Sequence, residues 1–286
     1  MKLSRILAAA CAVLLTLSLG AATPKGHLVI IGGGGMPKPI KPTILELAGG
    51  PDAGMITIGT AGGEKAQESA DKAAESFRKA GFTDVTGIVP TREECNDPGY
   101  VKKILKGVNS VYFCGGVQSR ITESIQGTLF HDALKKLYMN GGVISGTSAG
   151  AAIMSEIMLT GKDLKEDKES GKGKFRAITP GSVETVEGLG FLKGAIIDQH
   201  FIKRQRENRL FSIILEHPEL VAIGIDEATA IVVSEGRDIE VIGKNTVMVL
   251  EPDARTIKTD ANDNFGAEMK VRLLIAGDRY TIPGNE

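Results

Sequence analysis

VISGTSAGAAIM, residues 143–154, passes from an apolar stretch into a string of small residues, with Ser148 bracketed by Gly146 and Gly150. A short β-rich run that ends on glycine and enters alanine at once reads as a buried parallel strand feeding a sharp strand-to-helix turn. Two readings follow. In one, the serine only caps the helix. In the other, the turn lifts the serine oxygen into a cleft. Bulky neighbours would clash in so sharp a turn, and glycines at 146 and 150 remove that clash. The serine then stands at a helix N-terminus, where free N–H groups and the helix dipole favour developing negative charge. The five-residue pattern alone leaves both readings open.

Outward from this turn the same rhythm repeats. His27-Leu28-Val29-Ile30-Ile31 precedes the glycines Gly32 to Gly35. Residues 55–59, 85–89 and 110–114 are further short apolar strands. Between them the spacing predicts helices over 43–48, 64–80 and a segment that ends at Tyr138. Thr91-Arg92-Glu93-Glu94 has the spacing of a capping box. Strands of about five residues alternating with helices indicate an α/β fold with a mostly parallel, doubly wound sheet. After residues 195–198 and a helix to Glu216 the pattern changes. Residues 221–225, 229–233, 239–242, 247–250 and 269–275 are β-rich C-terminal hairpins expected to extend or cover one sheet edge. That tail also offers an edge for a homodimer. Residues 162–174 read as a charged surface loop.

Composition excludes little but bounds much. The chain has 286 residues, 42% hydrophobic, 24% charged, with a net charge of -1. That is long enough for a large core and gives no global attraction to nucleic acid or membrane. Residues 1–22 differ: Lys2 and Arg5 precede an apolar stretch over 6–19, then Gly20-Ala21-Ala22. This reads as a secretory signal peptide, because the apolar run is shorter than the ~20 residues of a membrane span. The expected organisation is therefore a signal peptide, 1–22, and one α/β domain, 23–286, in a secreted or periplasmic protein. Of the three cysteines, Cys11 lies in the leader; Cys95 and Cys114 read as two unpaired thiols. No Cys/His spacing suggests a metal site.

In a doubly wound sheet, ligands meet the carboxyl ends of the strands. Four stretches fall there: 32–35, Gly115-Gly116-Val117-Gln118, 146–150, and Asp198-Gln199-His200. Of the four histidines, His200 follows an apolar strand; His27, His131 and His217 read as structural. A base must reach a serine hydroxyl to activate it, and His200 is the candidate. Gly116 and Ala149 are placed to offer oxyanion N–H groups. Arg204, Arg206 and Arg209 form either a solvated face or a carboxylate-binding cluster. The run Gly32 to Gly35 is not a nucleotide loop, because Pro37 and Pro39 interrupt the helix such a loop requires.

GTSAGA (146–151), DQHFIKRQRENRL (198–210), GGVQSRIT (115–122) and GIDEATAIVV (224–233) together resemble the cyanophycinases and their relatives in the S51 serine peptidases. That family also holds aspartyl dipeptidases. The resemblance implies a fold like the class I glutamine amidotransferases and no cofactor. It implies Ser148 as nucleophile and His200 as its base. Gln118, Asp198, Gln199, Arg204, Arg206 and Arg209 would line the substrate pocket. The implied substrate is cyanophycin, an aspartate polymer with arginine on each side chain, cut to β-Asp-Arg dipeptides; a soluble aspartyl dipeptide is the alternative. The resemblance puts the acidic third member between the turn and the Asp-Gln-His run. Glu166 is the expected choice, with Asp163 next. Val117 and the Met36-Pro37 pair depart from the family pattern beside the pocket. Outside the enzymes, an exported solute-binding protein is the rival, and it would need no Ser148 hydroxyl. A lipase-like order would want a later histidine than His217.

Overall fold

The computed structural model describes residues 22–165 and 175–284. The leader expected over residues 1–22 therefore falls almost wholly outside the described residues, as does Glu166. The elements run β1 (His27–Ile31), α1 (Ile40–Leu47), β2 (Gly54–Ile58), α2 (Ala66–Lys79), β3 (Val85–Ile88), α3 (Arg92–Asn96), α4 (Pro98–Ile104), β4 (Val108–Phe113), α5 (Gln118–Ile125), α6 (Leu129–Met139), β5 (Val143–Thr147) and α7 (Ala149–Ala152). They continue with β6 (Ile157–Asp163), β7 (Val183–Glu187), β8 (Ala195–Gln199), α8 (Glu207–Glu216), β9 (Val221–Ile225), β10 (Thr229–Ser234), β11 (Asp238–Gly243) and β12 (Val247–Pro252). Last come β13 (Lys258–Thr259), β14 (Phe265–Gly266), β15 (Met269–Leu274) and β16 (Arg279–Thr281).

The main sheet has eight strands in the order β16-β11-β10-β1-β5-β4-β2-β3. Strands β1, β5, β4, β2 and β3 are parallel, and the three C-terminal strands add to β1 antiparallel. Strict alternation gives the sheet its two faces. Val29, Ile31, Met55 and Tyr112 point to α1 and α2, whose Ile40, Ile44, Ala74 and Phe77 meet them. Leu28, Ile30, Ile58, Val111 and Phe113 point to the opposite layer.

That opposite layer holds more than helices. A second, four-stranded sheet in the order β15-β12-β9-β8 packs there through Ile197, Ile223, Ile225, Val247 and Val249. Its far face is covered by α8 through Leu210, Ile213 and Ile214. The tail thus does two jobs: β10, β11 and β16 extend the main sheet, while β9, β12 and β15 join β8 in the second one. The strand before His200 belongs to the second sheet, not to the sheet that carries Ser148. The charged stretch read as starting at Lys162 begins two residues inside strand β6, which pairs with β7.

Locally, Thr91 accepts from Glu94 N–H while the Glu94 carboxylate accepts from Thr91 N–H, the reciprocal capping box. The helix expected over 64–80 is the single helix α2, entered from a 3-10 segment, Thr60–Lys65, that is kinked at Gly63 (φ 60°). Cys95 and Cys114 are buried and unpaired. Among the described residues no helix is long and apolar enough to cross a membrane.

Candidate active site

Ser148 adopts φ 53°, ψ -111°, a strained conformation for a residue with a side chain. Its neighbours explain how the turn is held. A Cβ at Gly146 would lie 2.3 Å from the Gly150 oxygen, and one at Gly150 would lie 2.3 Å from the Phe113 oxygen. The two glycines therefore let α7 press against the ends of β4 and β5. Ser148 N–H donates to the Ile31 oxygen at 3.1 Å, which pins the turn to β1.

The turn points the hydroxyl at His200. Ser148 Oγ lies 2.8 Å from His200 Nε2, and His200 Nδ1 lies 2.6 Å from Glu227 Oε1. A carboxylate only accepts, so Nδ1 carries the proton and Nε2 of the neutral ring is left to accept from the serine. Burial holds the His200 pKa below its ordinary value; the Glu227 hydrogen bond opposes that, and Arg204 and Arg206 reinforce it. The same hydrogen bond holds the Glu227 carboxyl below its usual range.

The first glycine run joins the two sheets at this point. His200 N–H donates to the Gly32 oxygen and Ala228 N–H to the Gly33 oxygen, each at 2.7 Å. A Cβ at Gly33 would sit 2.3 Å from His200 Cε1, and one at Gly34 would sit 2.5 Å from Glu227 Cβ. Both glycines have positive φ. The run that the sequence placed at a strand end of the rim is thus the wall against which the imidazole and its carboxylate rest. Gly33→Ala is expected to push the ring off Ser148 and lower kcat by about 100-fold or more, since misplacing a catalytic group by ~1 Å costs that much. Steady-state kinetics beside a thermal melt would check it; wild-type kcat would remove the packing argument.

Above Ser148 lies the loop after β4. A Cβ at Gly115 would be 3.3 Å from Ser148 Cβ, and Gly116 at φ +146° is pressed against the Ala61 oxygen. Val117 N–H donates to that same oxygen at 2.9 Å. Among the described residues, neither Gly116 N–H nor Ala149 N–H donates to a protein acceptor.

The other residues named from sequence divide. Arg204 is exposed, and Arg206 is half-buried, with Nη1 donating to the Gln199 oxygen at 2.6 Å. Burial and the neighbouring Arg209 lower the Arg206 pKa to about 10. Asp198 and Arg209, in contrast, are 1% and 4% exposed and face each other, with Arg209 Nε donating to Asp198 Oδ2 at 2.6 Å and Nη2 to Oδ1. They form a buried fork-to-fork pair under the arginine segment, not a lining open to solvent. Gln118 spends both amide hydrogens on the Leu159 and Thr160 oxygens, so only its side-chain oxygen is left to accept. Gln199 is buried with its Oε1 unpartnered. Asp163 accepts from Lys165 N–H and Phe175 N–H and makes no contact with His200. The sequence reading missed Glu227. It lies two residues past β9, in the stretch GIDEATAIVV, and the strand-end rule applied to β9 would have named it. A hollow of about 670 Å³ lined by Tyr138, Phe191, Lys193 and Ile282 lies away from these groups, among the residues that precede β1 and β8.

Comparison with known proteins bears on this arrangement. Residues 28–241 match the model of peptidase family S51. The chain is 32% identical over 240 residues to a cyanophycinase of Geminocystis herdmanii, covering 82% of this chain and 84% of that one. It is 31% identical over 197 residues to a cyanophycinase of a Nostoc species, covering 67% and 62%. The crystal structure of a peptidase from an acI-B1 actinobacterium superposes with a TM-score of 0.66 over 91% of this chain and 98% of the other, at 20% identity, a likeness of fold.

Proposed function

The chain belongs to peptidase family S51 and is a serine-type peptidase, and from that premise we propose that it hydrolyses the aspartyl isopeptide bonds of cyanophycin, with Ser148 as nucleophile, His200 as base and Glu227 as the acid that orients it. The observation that carries this reading is the unbroken chain of contacts from Ser148 Oγ through the imidazole to Glu227.

Each step follows from the atoms in that chain. His200 Nε2 takes the Ser148 proton as Oγ attacks the substrate carbonyl carbon. Glu227 stabilises the imidazolium through Nδ1–H without taking the proton. The carbonyl oxygen becomes an oxyanion in reach of the free N–H groups of Gly116, in the loop after β4, and of Ala149, at the start of α7. His200 then gives its proton to the leaving amine nitrogen, and the C–N bond breaks to leave an acyl-serine. A water enters, His200 takes its proton, and the hydroxide oxygen displaces Ser148 Oγ, which recovers a proton from Nε2. Each donor of this kind is worth about 100- to 1,000-fold in turnover.

Arg204 and Arg206, close enough to depress the His200 pKa, supply positive charge for a substrate aspartate carboxylate. The Gln118 oxygen offers an acceptor to a substrate cation. Asp198, Gln199 and Arg209 act from below by fixing the arginine segment. The proposal includes export: residues 1–22 direct secretion or periplasmic delivery of one peptidase unit, 23–286.

Activity requires neutral His200. Burial lowers its pKa, so the neutral form persists to more acidic pH than for a free histidine, whose value is about 6.5. The acidic limb of kcat/KM is accordingly expected below pH ~6.5, and a limb centred above pH ~7 would contradict His200 as the base. The substrate is tested with purified protein on insoluble cyanophycin beside β-Asp-Arg, β-Asp-Lys and α-Asp dipeptides, with Ser148→Ala as control. Polymer clearance with dipeptide release, lost in the variant, is the expected result. Cleaved dipeptides with an inert polymer would move the protein to the dipeptidase side. Silence on every substrate would remove the proposed activity.

A further inference from the structure

His200 adopts φ 49° and Gln205 φ 51°, and neither is glycine. Positive φ is uncommon for a residue with a side chain, and it persists where the surroundings over-determine it. The two residues bracket a 3-10 turn, Ile202–Arg204, in the segment that carries His200, Arg204 and Arg206. Within the turn, Arg204 N–H donates to the His200 oxygen and Gln205 N–H to the Ile202 oxygen, each at 3.0 Å. Those bonds close the turn on itself without attaching it to the protein. At its start, Phe201 N–H donates to the Ile225 oxygen at 3.3 Å. The buried Phe201 ring fills the place of a side chain at Gly224, where a Cβ would lie 2.4 Å from Phe201 Cδ1. At its centre, Lys203 N–H donates to Asp226 Oδ1 at 2.9 Å. Among the described residues, Asp226 is the only side chain that accepts from the backbone of residues 201–205.

Asp226 is itself firmly placed. It follows β9, whose last residue, Ile225, pairs in parallel register with Gln199 at the end of β8. His200 and Asp226 therefore leave two neighbouring strands side by side. Asp226 is 8% exposed, and its N–H donates to the Thr246 oxygen at 3.2 Å. We propose that Asp226 is a positioning residue of the peptidase, holding this turn in the conformation that aims His200 Nε2 at Ser148. Two consecutive residues then divide the work. Asp226 fixes the backbone that carries the imidazole, and Glu227 fixes the ring. The proposal rests on His200 as the base and is independent of which substrate is cleaved. Beyond burial, the charged groups that bear on the His200 pKa are Glu227, Arg204 and Arg206. What Asp226 supplies is an acceptor at a fixed place, and an amide oxygen supplies the same.

The test reads the base without a substrate. A fluorophosphonate labels an activated serine: Ser148 Oγ bonds to phosphorus, fluoride leaves, and His200 Nε2 takes the hydroxyl proton. The labelling rate of the purified chain is measured for wild type, His200→Ala, Asp226→Asn, Asp226→Ala and Asp226→Leu, each beside a thermal melt. Leucine matches asparagine in size but has no acceptor, so it stands beside alanine in case one of the two does not fold. Labelling is expected to vanish in His200→Ala. It should fall about 10- to 100-fold in the folded Ala or Leu variant, the scale of loss when a catalytic group is misplaced by ~1 Å. Asp226→Asn should restore it to within a few-fold of wild type. A folded Ala or Leu variant that labels at the wild-type rate overturns the proposal. So does an Asp226→Asn as slow as those two, because the charge and not the acceptor would then matter. Failure of both the Ala and the Leu variant to fold makes Asp226 a structural residue and overturns it too. A wild type that labels no faster than His200→Ala removes the base itself, whereas rapid labelling with every substrate inert removes only the proposed substrate.

Discussion

Ser148→Ala is expected to lower kcat on the cleavable substrate by about 10⁴- to 10⁶-fold, the loss seen when a serine nucleophile is removed. The reason is local. Only Ser148 Oγ stands 2.8 Å from His200 Nε2, and α7 offers its N–H groups beside that oxygen alone. The change should leave the fold as it is. Alanine keeps the Cβ, the Ile31 oxygen still receives the N–H of residue 148, and Gly146 and Gly150 still hold the turn. A melt within a few degrees of wild type, with substrate still bound, would show that chemistry alone is lost. Retained hydrolysis would take the nucleophile role away from Ser148. The rate left over should still exceed the uncatalysed one, because the oxyanion donors and the binding groups remain.

Glu227→Gln is expected to cost about 10³- to 10⁴-fold in kcat, close to the loss seen when the acid of such a triad becomes an amide. A carboxylate forces the proton onto Nδ1. An amide in its place can donate to Nδ1 instead, and the ring then carries its proton on Nε2, facing Ser148, where it cannot act as a base. The pH profile separates this from a collapse of the site. Glu227 raises the His200 pKa against burial, so its removal should move the acidic limb of kcat/KM further down, not up. Asp163→Asn is the matched control. The Asp163 carboxylate serves Lys165 N–H and Phe175 N–H, and kcat there should stay within a few-fold of wild type. A large loss at Asp163 with little at Glu227 would reverse the assignment.

Ser148 and Glu227 differ in what determines their places. Ser148 and its glycines are a five-residue pattern, and the sterics that require them act over the same five residues. The strand-to-helix turn was therefore legible in the sequence. So were the capping box at Thr91 and the alternation of short apolar strands with helices, because periodicity and capping are local properties. The early glycine run was legible as a strand-end stretch on the rim and as something other than a nucleotide loop. Its part in the site depends on the His200 ring, which arrives from far along the chain.

Near-neighbour contacts fixed the order of the elements and the conformation around Ser148, and the alternation of short apolar strands with helices fixed the parallel character of the first half. Tertiary structure alone decided that the tail divides between two sheets, that Asp198 and Arg209 turn inward to each other, and that Glu227 is the acid within reach of His200. Serine and histidine are 52 residues apart, histidine and glutamate 27. Many acidic residues lie at such distances, and no local propensity ranks them. The stacking of β8 and β9 on the main sheet, with Gly32 and Gly33 as the join, brings one of them to 2.6 Å and leaves Asp163 tied to its own loop.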